Sequence, residues 1–196
     1  MKNKKFSLKL TLLGVSMLLC NSVFSQEKTY KVGDLYENGD IKGIVFEVNA
    51  SGTRGKIISI DETSAPWTAF VGAAMVRVGT LKDETDGSKN MKIIMNSYGW
   101  KETYTAAYWC YKHGEKWYLP STSELQLIFK NKDILNQTLA SIEDADEVYN
   151  FPKGSAVYWS SNETNNEYSI SAVNAKGGVK NHTKNLTGRV RAVCKF

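Results

Sequence analysis

The order of the predicted elements indicates an α+β fold. Residues 33–60 combine alternating apolar positions with an Asn38-Gly39 dipeptide, which is the strongest short signal for a β-hairpin. Residues 90–142 carry apolar side chains at helical spacing, and residues 156–196 return to strand patterns. Strands grouped before and after a block of helices are typical of α+β proteins. Because no internal repeat or Pro-rich linker interrupts the chain, we expect one domain over residues 33–196.

The N-terminal third is predicted to be a β-meander, preceded by a flexible lead at residues 26–32. Its strands are expected at residues 34–37, 43–48 and 55–60, with the Asn38-Gly39 turn between the first two. Alternation in the middle strand predicts that at least one of its faces is buried.

A strand-to-helix corner at Trp117–Leu125 organises the helical block. Pro120 has no backbone N–H and a fixed φ, so it ends the extended run Trp117–Leu119. Ser121, with Glu124 three residues later, matches the S-x-x-E capping box of a helix start. Helices are predicted at residues 90–97 and 102–113, and residues 125–131 and 133–142 are expected to form one interrupted helix or two short ones.

The C-terminal third is predicted to hold three strands, at residues 156–161, 168–174 and 189–196. We expect Gly177-Gly178 to form the turn between the last two strands, because glycine favours tight turns. An acidic run at residues 143–147 is interpreted as a solvated loop.

The first 25 residues are predicted to be a cleaved secretory signal peptide. Several lysines precede a short apolar run, and small or tolerated residues follow it. Lipidation of Cys20 is the alternative, although leucines stand before it where small residues are needed. We therefore expect a secreted, periplasmic or cell-surface protein, with no transmembrane segment after cleavage.

Removal of the signal peptide changes the charge argument. The whole chain has a net charge of +5, but residues 1–25 hold four lysines and no acidic residue, which leaves +1 for residues 26–196. A nearly neutral domain gives no global electrostatic case for nucleic-acid binding.

Two cysteines, Cys110 and Cys194, remain after cleavage. An even pair in an exported protein favours a disulfide, and two buried free thiols are the alternative. A metal site is not predicted, because the only histidines, His113 and His182, have no ligand-like spacing to the cysteines. A catalytic Cys110–His113 pair lacks an evident third residue to orient it, so we predict neither enzyme activity nor a cofactor.

A polar loop follows the aromatic residue Trp159. Its amide and carboxylate oxygens suit sugar hydroxyls or a hard cation such as Ca²⁺. The alternative is a solvated hairpin loop without a ligand. The candidate binding residues are Trp159, Asn162, Glu163, Asn165, Asn166 and Glu167.

The segment Tyr168–Phe196 contains basic residues but no acidic residue. A local excess of positive charge attracts polyanions such as acidic glycans. The alternative is a charged outer face of a sheet, since alternation places Arg189 and Arg191 on one side of their strand. The candidate binding residues are Lys176, Lys180, Lys184, Arg189 and Arg191.

Several short segments occur in the order seen in a known family. They are Asp86-Gly87 with Asn90, Tyr104–Cys110, Trp117–Leu125, Tyr158–Ser161 and Arg189–Arg191. Together they resemble the domain of unknown function at the C-terminus of a collagen-like bacterial adhesin, the Lcl C-terminal type. The resemblance covers most of residues 33–196.

The resemblance implies a C-type lectin-like fold, with small antiparallel sheets flanked by two or three helices. It also implies a disulfide between Cys110 and Cys194, because such domains typically bridge a helix to the last strand. The calcium-dependent sugar motifs of C-type lectins and the paired cysteines of formylglycine-generating enzymes are absent from this sequence. Neither of those activities is therefore carried over.

We expect a non-enzymatic binding or adhesion domain that recognises a glycan or an acidic surface polymer. The alternative is a structural or protein-interaction module of the bacterial cell envelope. Binding to glycans distinguishes the first hypothesis from the second.

Overall fold

A computed structural model describes residues 27–69, 72, 76–142, 150–152, 156–166 and 168–196. The predicted signal peptide, the acidic run at 143–147 and the candidate residue Glu167 lie outside these residues. The strands are β1 (Leu35–Asn38), β2 (Ile41–Val48), β3 (Gly55–Ile58), β4 (Thr63–Pro66), β5 (Val157–Glu163), β6 (Ser169–Asn174), β7 (Val179–Thr183), β8 (Thr187–Val190) and β9 (Val193–Lys195). The helices are α1 (Gly87–Met95), α2 (Trp100–Thr103), α3 (Thr105–Tyr111), α4 (Thr122–Lys130) and α5 (Lys132–Ala140).

The first sheet has the antiparallel order β1-β2-β3-β9. The predicted Asn38-Gly39 hairpin is confirmed: Asn38 pairs with Ile41, and Gly39 takes a positive φ of 57° that suits glycine. Strand β9 pairs with β3, so the last strand of the chain completes the N-terminal meander.

The second sheet has the order β4-β8-β5-β6-β7, in which β5 and β8 run parallel and the other pairs are antiparallel. Strands β4 and β7 were not predicted. Gly177 lies in the turn between β6 and β7, so the prediction that this turn precedes the last strand is wrong. The predicted final strand is also interrupted at Arg191 and Ala192, and its halves belong to different sheets.

The helical block follows the prediction except at Tyr104. There the backbone leaves the helical region, with φ −103° and ψ 77°, and it divides the predicted helix 102–113 into α2 and α3. The run Trp117–Leu119 forms only an isolated bridge, between Tyr118 and Val193, rather than a strand. Within the described residues, no helix is long and apolar enough to cross a membrane.

The corner after Pro120 is built as predicted. The Ser121 hydroxyl accepts a hydrogen bond from the backbone N–H of Glu124 (3.1 Å), and the Glu124 carboxylate accepts one from the Ser121 N–H (2.8 Å). The same carboxylate also accepts from the N–H of Gly87 (3.1 Å). A side chain at Gly87 would collide with the backbone of Leu119, so this glycine allows α1 to start directly against the corner.

The two sheets and the helices share one cluster of buried apolar side chains. Cys110 and Cys194 lie in it as free cysteines, so the predicted disulfide is not formed in this structure. The thiol of Cys110 contacts the carbonyl oxygen of Arg191 (3.9 Å), whereas that of Cys194 contacts the carbonyl oxygen of Lys195 (3.4 Å).

Candidate functional site

Five of the eleven predicted binding residues lie in the interior. The exposed fraction of each of these side chains is 0 %, so none of them is accessible to a ligand in this structure. They are Trp159, Asn162, Glu163, Lys184 and Arg191.

Asn162 is an anchor for the segment before α1. Its side-chain amide donates to the carbonyl oxygens of Leu81 (2.9 Å), Lys82 (3.1 Å) and Glu84 (2.8 Å). Its side-chain oxygen accepts from the N–H of Thr122 (2.8 Å) at the start of α4. One buried amide thus fixes this segment against the corner helix.

Glu163 and Lys184 hold the same segment from its other end. The Glu163 carboxylate accepts from the backbone N–H groups of residues 78, 79 and 80, at 3.0, 2.8 and 3.0 Å. The Lys184 ammonium donates to Glu163 (2.5 Å) and to the carbonyl oxygen of Val76 (2.8 Å). We call residues 76–84 the anchored loop, because buried side chains from β5 and the β7–β8 turn satisfy its backbone.

The two arginines of the segment Tyr168–Phe196 contact a carboxylate from the N-terminal half of the chain. Glu62, which is buried, accepts from Arg189 and from Arg191 (3.2 Å for Nε), and the hydroxyl of Tyr158 donates to it (2.5 Å). Burial raises the pKa of Tyr158, and the negative charge of Glu62 raises it further. Trp159 donates to the carbonyl oxygen of Ala65 (2.8 Å). The segment Tyr168–Phe196 has no acidic residue of its own. In the folded protein, however, Glu62 from the N-terminal half supplies the negative charge that its two arginines contact.

Four predicted residues remain exposed: Asn165, Asn166, Lys176 and Lys180. The two asparagines line a polar cleft with a volume of about 330 Å³, and the two lysines do not. We use the name polar cleft for this site. Its lining residues are Lys82, Asp83, Thr164, Asn165, Asn166, Ser171 and Asn181.

Three parts of the fold form the walls of the polar cleft. The anchored loop supplies Lys82 and Asp83, whose charges lie 3.9 Å apart. Strands β6 and β7 place Ser171 directly opposite Asn181. The third wall is the turn between β5 and β6, which contains the two asparagines.

Side-chain hydrogen bonds fix the turn between β5 and β6. The hydroxyl of Thr164 accepts from the N–H of Asn166 (3.0 Å), and the side-chain oxygen of Asn166 accepts from the N–H of Tyr168 (2.9 Å). Tyr168 follows with 40 % of its surface exposed. Its side chain does not line the cleft, so the turn contributes only Thr164 and the two asparagines to the site.

The chemistry of the polar cleft is that of paired donors and acceptors. Amide and hydroxyl groups each offer both roles, and they match the alternating hydroxyl groups of a sugar. Within the described part of the chain, no group of three or more His, Cys, Asp or Glu side chains is placed to hold a metal ion.

Sequence reasoning missed the other walls of this site. Lys82 and Asp83 were not among the predicted binding residues, because nothing in the local sequence shows that the side chain of Asn162, 80 residues later, holds this part of the chain. Asn181 lies on β7, whose residues are mostly exposed on both faces and therefore lack the alternation that reveals a strand. The asparagine-rich run at 162–166 was the only signal for the cleft.

Comparison with known proteins finds a similarity at the level of structure, not of sequence. No family model matches the sequence, and no curated protein matches it. The crystal structure of a fimbrial protein from Bacteroides ovatus ATCC 8483 is similar, with a TM-score of 0.55 and 18 % sequence identity. The likeness covers 72 % of this chain but only 36 % of that one, so the chain spans about a third of its length. At this identity the likeness shows a shared fold.

Proposed function

We propose that this protein is an exported binding module of the adhesion type, which recognises a glycan in the polar cleft. The observation that carries the proposal is the cleft itself, an open site lined by amide and hydroxyl groups on fixed backbone. The shared fold with a fimbrial protein supports a role at the cell surface. The order of sequence motifs supports the further proposal of an Lcl C-terminal-type domain with a C-type lectin-like fold.

Charge favours neutral sugar units over an acidic polymer. Lys82 is matched in the cleft by Asp83, and Lys184 and Arg191 are buried against carboxylates. Lys180 is adjacent to Asn181 on β7, so their side chains point to opposite faces of the sheet. The cleft therefore has no net positive field that would select a polyanion.

Rigidity also favours this site. A loop whose backbone is held by buried side chains loses little conformational entropy when a ligand binds. Asn162, Glu163 and Lys184 hold the anchored loop in this way, and the Thr164 hydroxyl holds the turn on the other side. The binding groups are thus positioned before the ligand arrives.

A glycan array with residues 26–196 tests the proposal. We expect binding to neutral oligosaccharides that changes little with salt, and a loss of about tenfold in affinity for the double variant Asn165→Ala, Asn181→Ala, which removes two hydrogen-bonding amides. Asn185→Ala is the matched control, because this asparagine is exposed but does not line the cleft. Failure to bind any glycan, or equal binding by the double variant and the wild type, contradicts the proposal.

A protein-interaction module is the second candidate, and the observation that favours it is the edge strand β7. This strand ends the second sheet, its outer side pairs with no other strand of the described residues, and Val179 is 48 % exposed. Exposed edges bind extended peptides by adding a strand. A pull-down from envelope fractions that gives one protein, is unaffected by glycans and is lost with Val179→Asp supports this alternative.

A further inference from the structure

An apolar pocket lies beside the corner, away from the polar cleft, and the two sites share no lining residue. Its walls are α1, the segment before Pro120 and the end of β9. The volume is about 330 Å³. Since a cavity of about 150 Å³ holds benzene, this pocket has room for one fused ring system or one ring with a short arm.

The floor of the pocket suits an aromatic ring. Met91 and Met95 lie four residues apart and therefore project from the same side of α1. Trp117 and Tyr118 face them from the corner segment. Thioether sulfur atoms make favourable contacts with ring edges, and methionine adapts to the shape of its ligand.

The position of Trp117 is fixed. Its ring lies 5.6 Å from that of His113, and a Cβ atom at Gly114 would already be in van der Waals contact with it. Trp117 is only 3 % exposed, so it forms a wall of the pocket rather than a mobile surface side chain. A ligand would find this surface already formed.

Three lysines surround the mouth of the pocket: Lys92, Lys116 and Lys195. Lys195 is held by Asp86 (2.5 Å) and by the hydroxyl of Ser88 (2.9 Å), and its ammonium lies 5.8 Å from the centre of the Tyr118 ring. Lys92 and Lys116 are exposed, and neither makes an ion pair within the described residues.

Glu115 is the one acidic side chain among the lining residues. With Asp86 assigned to Lys195, the two free lysines still outnumber it. The mouth of the pocket therefore carries a net positive charge above an apolar floor.

We infer that this pocket binds a small aromatic carboxylate. The ring enters between the methionines and Trp117, and the carboxylate stays at the mouth beside Lys92 and Lys116. This binding activity is independent of the glycan site, so either can be present without the other.

Three indole compounds with the same ring and different head groups test the inference by isothermal titration calorimetry. They are indole-3-acetate, the neutral alcohol tryptophol and the cation tryptamine. We expect indole-3-acetate to bind about tenfold more tightly than tryptophol, and tryptamine to bind most weakly. Added salt should weaken only the binding of the acetate, since it screens exposed charges.

Variants separate the head-group contacts from the floor. Lys116→Ala should lower the affinity for indole-3-acetate about threefold and leave the affinity for tryptophol unchanged. Glu115→Gln should raise the affinity for indole-3-acetate by a similar factor, and Met95→Ala should lower the affinity for all three compounds equally. Lys112→Ala is the matched control, because Lys112 is an exposed lysine that does not line the pocket.

The inference is overturned by any of three results. These are no binding of indole-3-acetate at about 10 mM, equal affinity for the acid and the alcohol, or the same loss in Lys112→Ala as in Lys116→Ala. Unchanged urea unfolding of each variant shows that a loss of binding is not a loss of fold.

Discussion

The substitution Lys184→Met tests whether Lys184 is an internal anchor or a binding residue. Methionine preserves most of the volume and removes the charge. In the folded protein, the Glu163 carboxylate then loses its ammonium partner, and the carbonyl oxygen of Val76 loses its donor. Glu163 keeps its three hydrogen bonds from the backbone of residues 78–80.

The magnitude follows from the burial of both partners, whose side chains are 0 % exposed. Removal of one partner from a buried ion pair costs about 3–5 kcal/mol, because it leaves the other charge uncompensated. We expect Lys184→Met at about 3 kcal/mol, the lower end, since the backbone donors still stabilise the carboxylate. Glu163→Gln should cost about 5 kcal/mol, because the amide turns a donor toward a backbone N–H and the lysine stays buried.

Urea unfolding of the two single variants and the double variant gives the coupling energy. We expect the double variant to lose less stability than the sum of the single variants, by about 1–3 kcal/mol. Lys180→Met makes the same change at an exposed site on β7 and should alter stability by less than about 0.5 kcal/mol. Additive losses, or equal effects of Lys184→Met and Lys180→Met, would refute the anchor role.

Other side chains give three further expected outcomes. Ser121→Ala removes the cap of α4 and should lower the free energy of unfolding, measured in urea, by about 1–2 kcal/mol. The control Ser123→Ala, at an exposed serine within α4, should leave it nearly unchanged. Burial alone lowers the pKa of His113, but its hydrogen bond with Asp61 and the charge of Asp61 raise it above 6.5 overall. While Asp61 is ionised, the stability from the raised pKa of His113 is therefore full below about pH 6.5 and lost as the pH rises through the raised value; a pH dependence unchanged by Asp61→Asn contradicts this. Burial raises the pKa of both cysteine thiols, that of Cys194 to about 11, so they should react with Ellman's reagent only after unfolding. Thiols still absent after unfolding would indicate a disulfide.

The elements that the sequence predicted well are those set by local chemistry. The Asn38-Gly39 turn and the Ser121–Glu124 capping box each depend on residues within four positions of one another, and both are confirmed. The α+β class follows from the order of such elements. Strand β7 was missed because it lies at a sheet edge, where few side chains are buried and the pattern fades.

The candidate site was harder to predict because the sequence does not distinguish buried polar side chains from exposed ones. Asn162 and Glu163 stand in a run of hydrophilic residues, yet their partners lie about 80 positions earlier in the chain. A hydrogen bond between such distant residues leaves no local pattern. The same holds for the contact between Arg191 and Glu62, which lie 129 positions apart.

If the polar cleft binds a glycan as proposed, the anchors also determine which of its residues can set the specificity. Buried polar networks are costly when incomplete, so Asn162, Glu163 and Lys184 resist substitution. Lys82 and Asn165 are exposed, so their side chains are not part of this buried network. Substitutions at the exposed positions should therefore change which ligand binds while stability stays within about 0.5 kcal/mol of the wild type. Changes at the anchors should lower stability and ligand binding together, because the cleft loses its wall when the anchored loop is released.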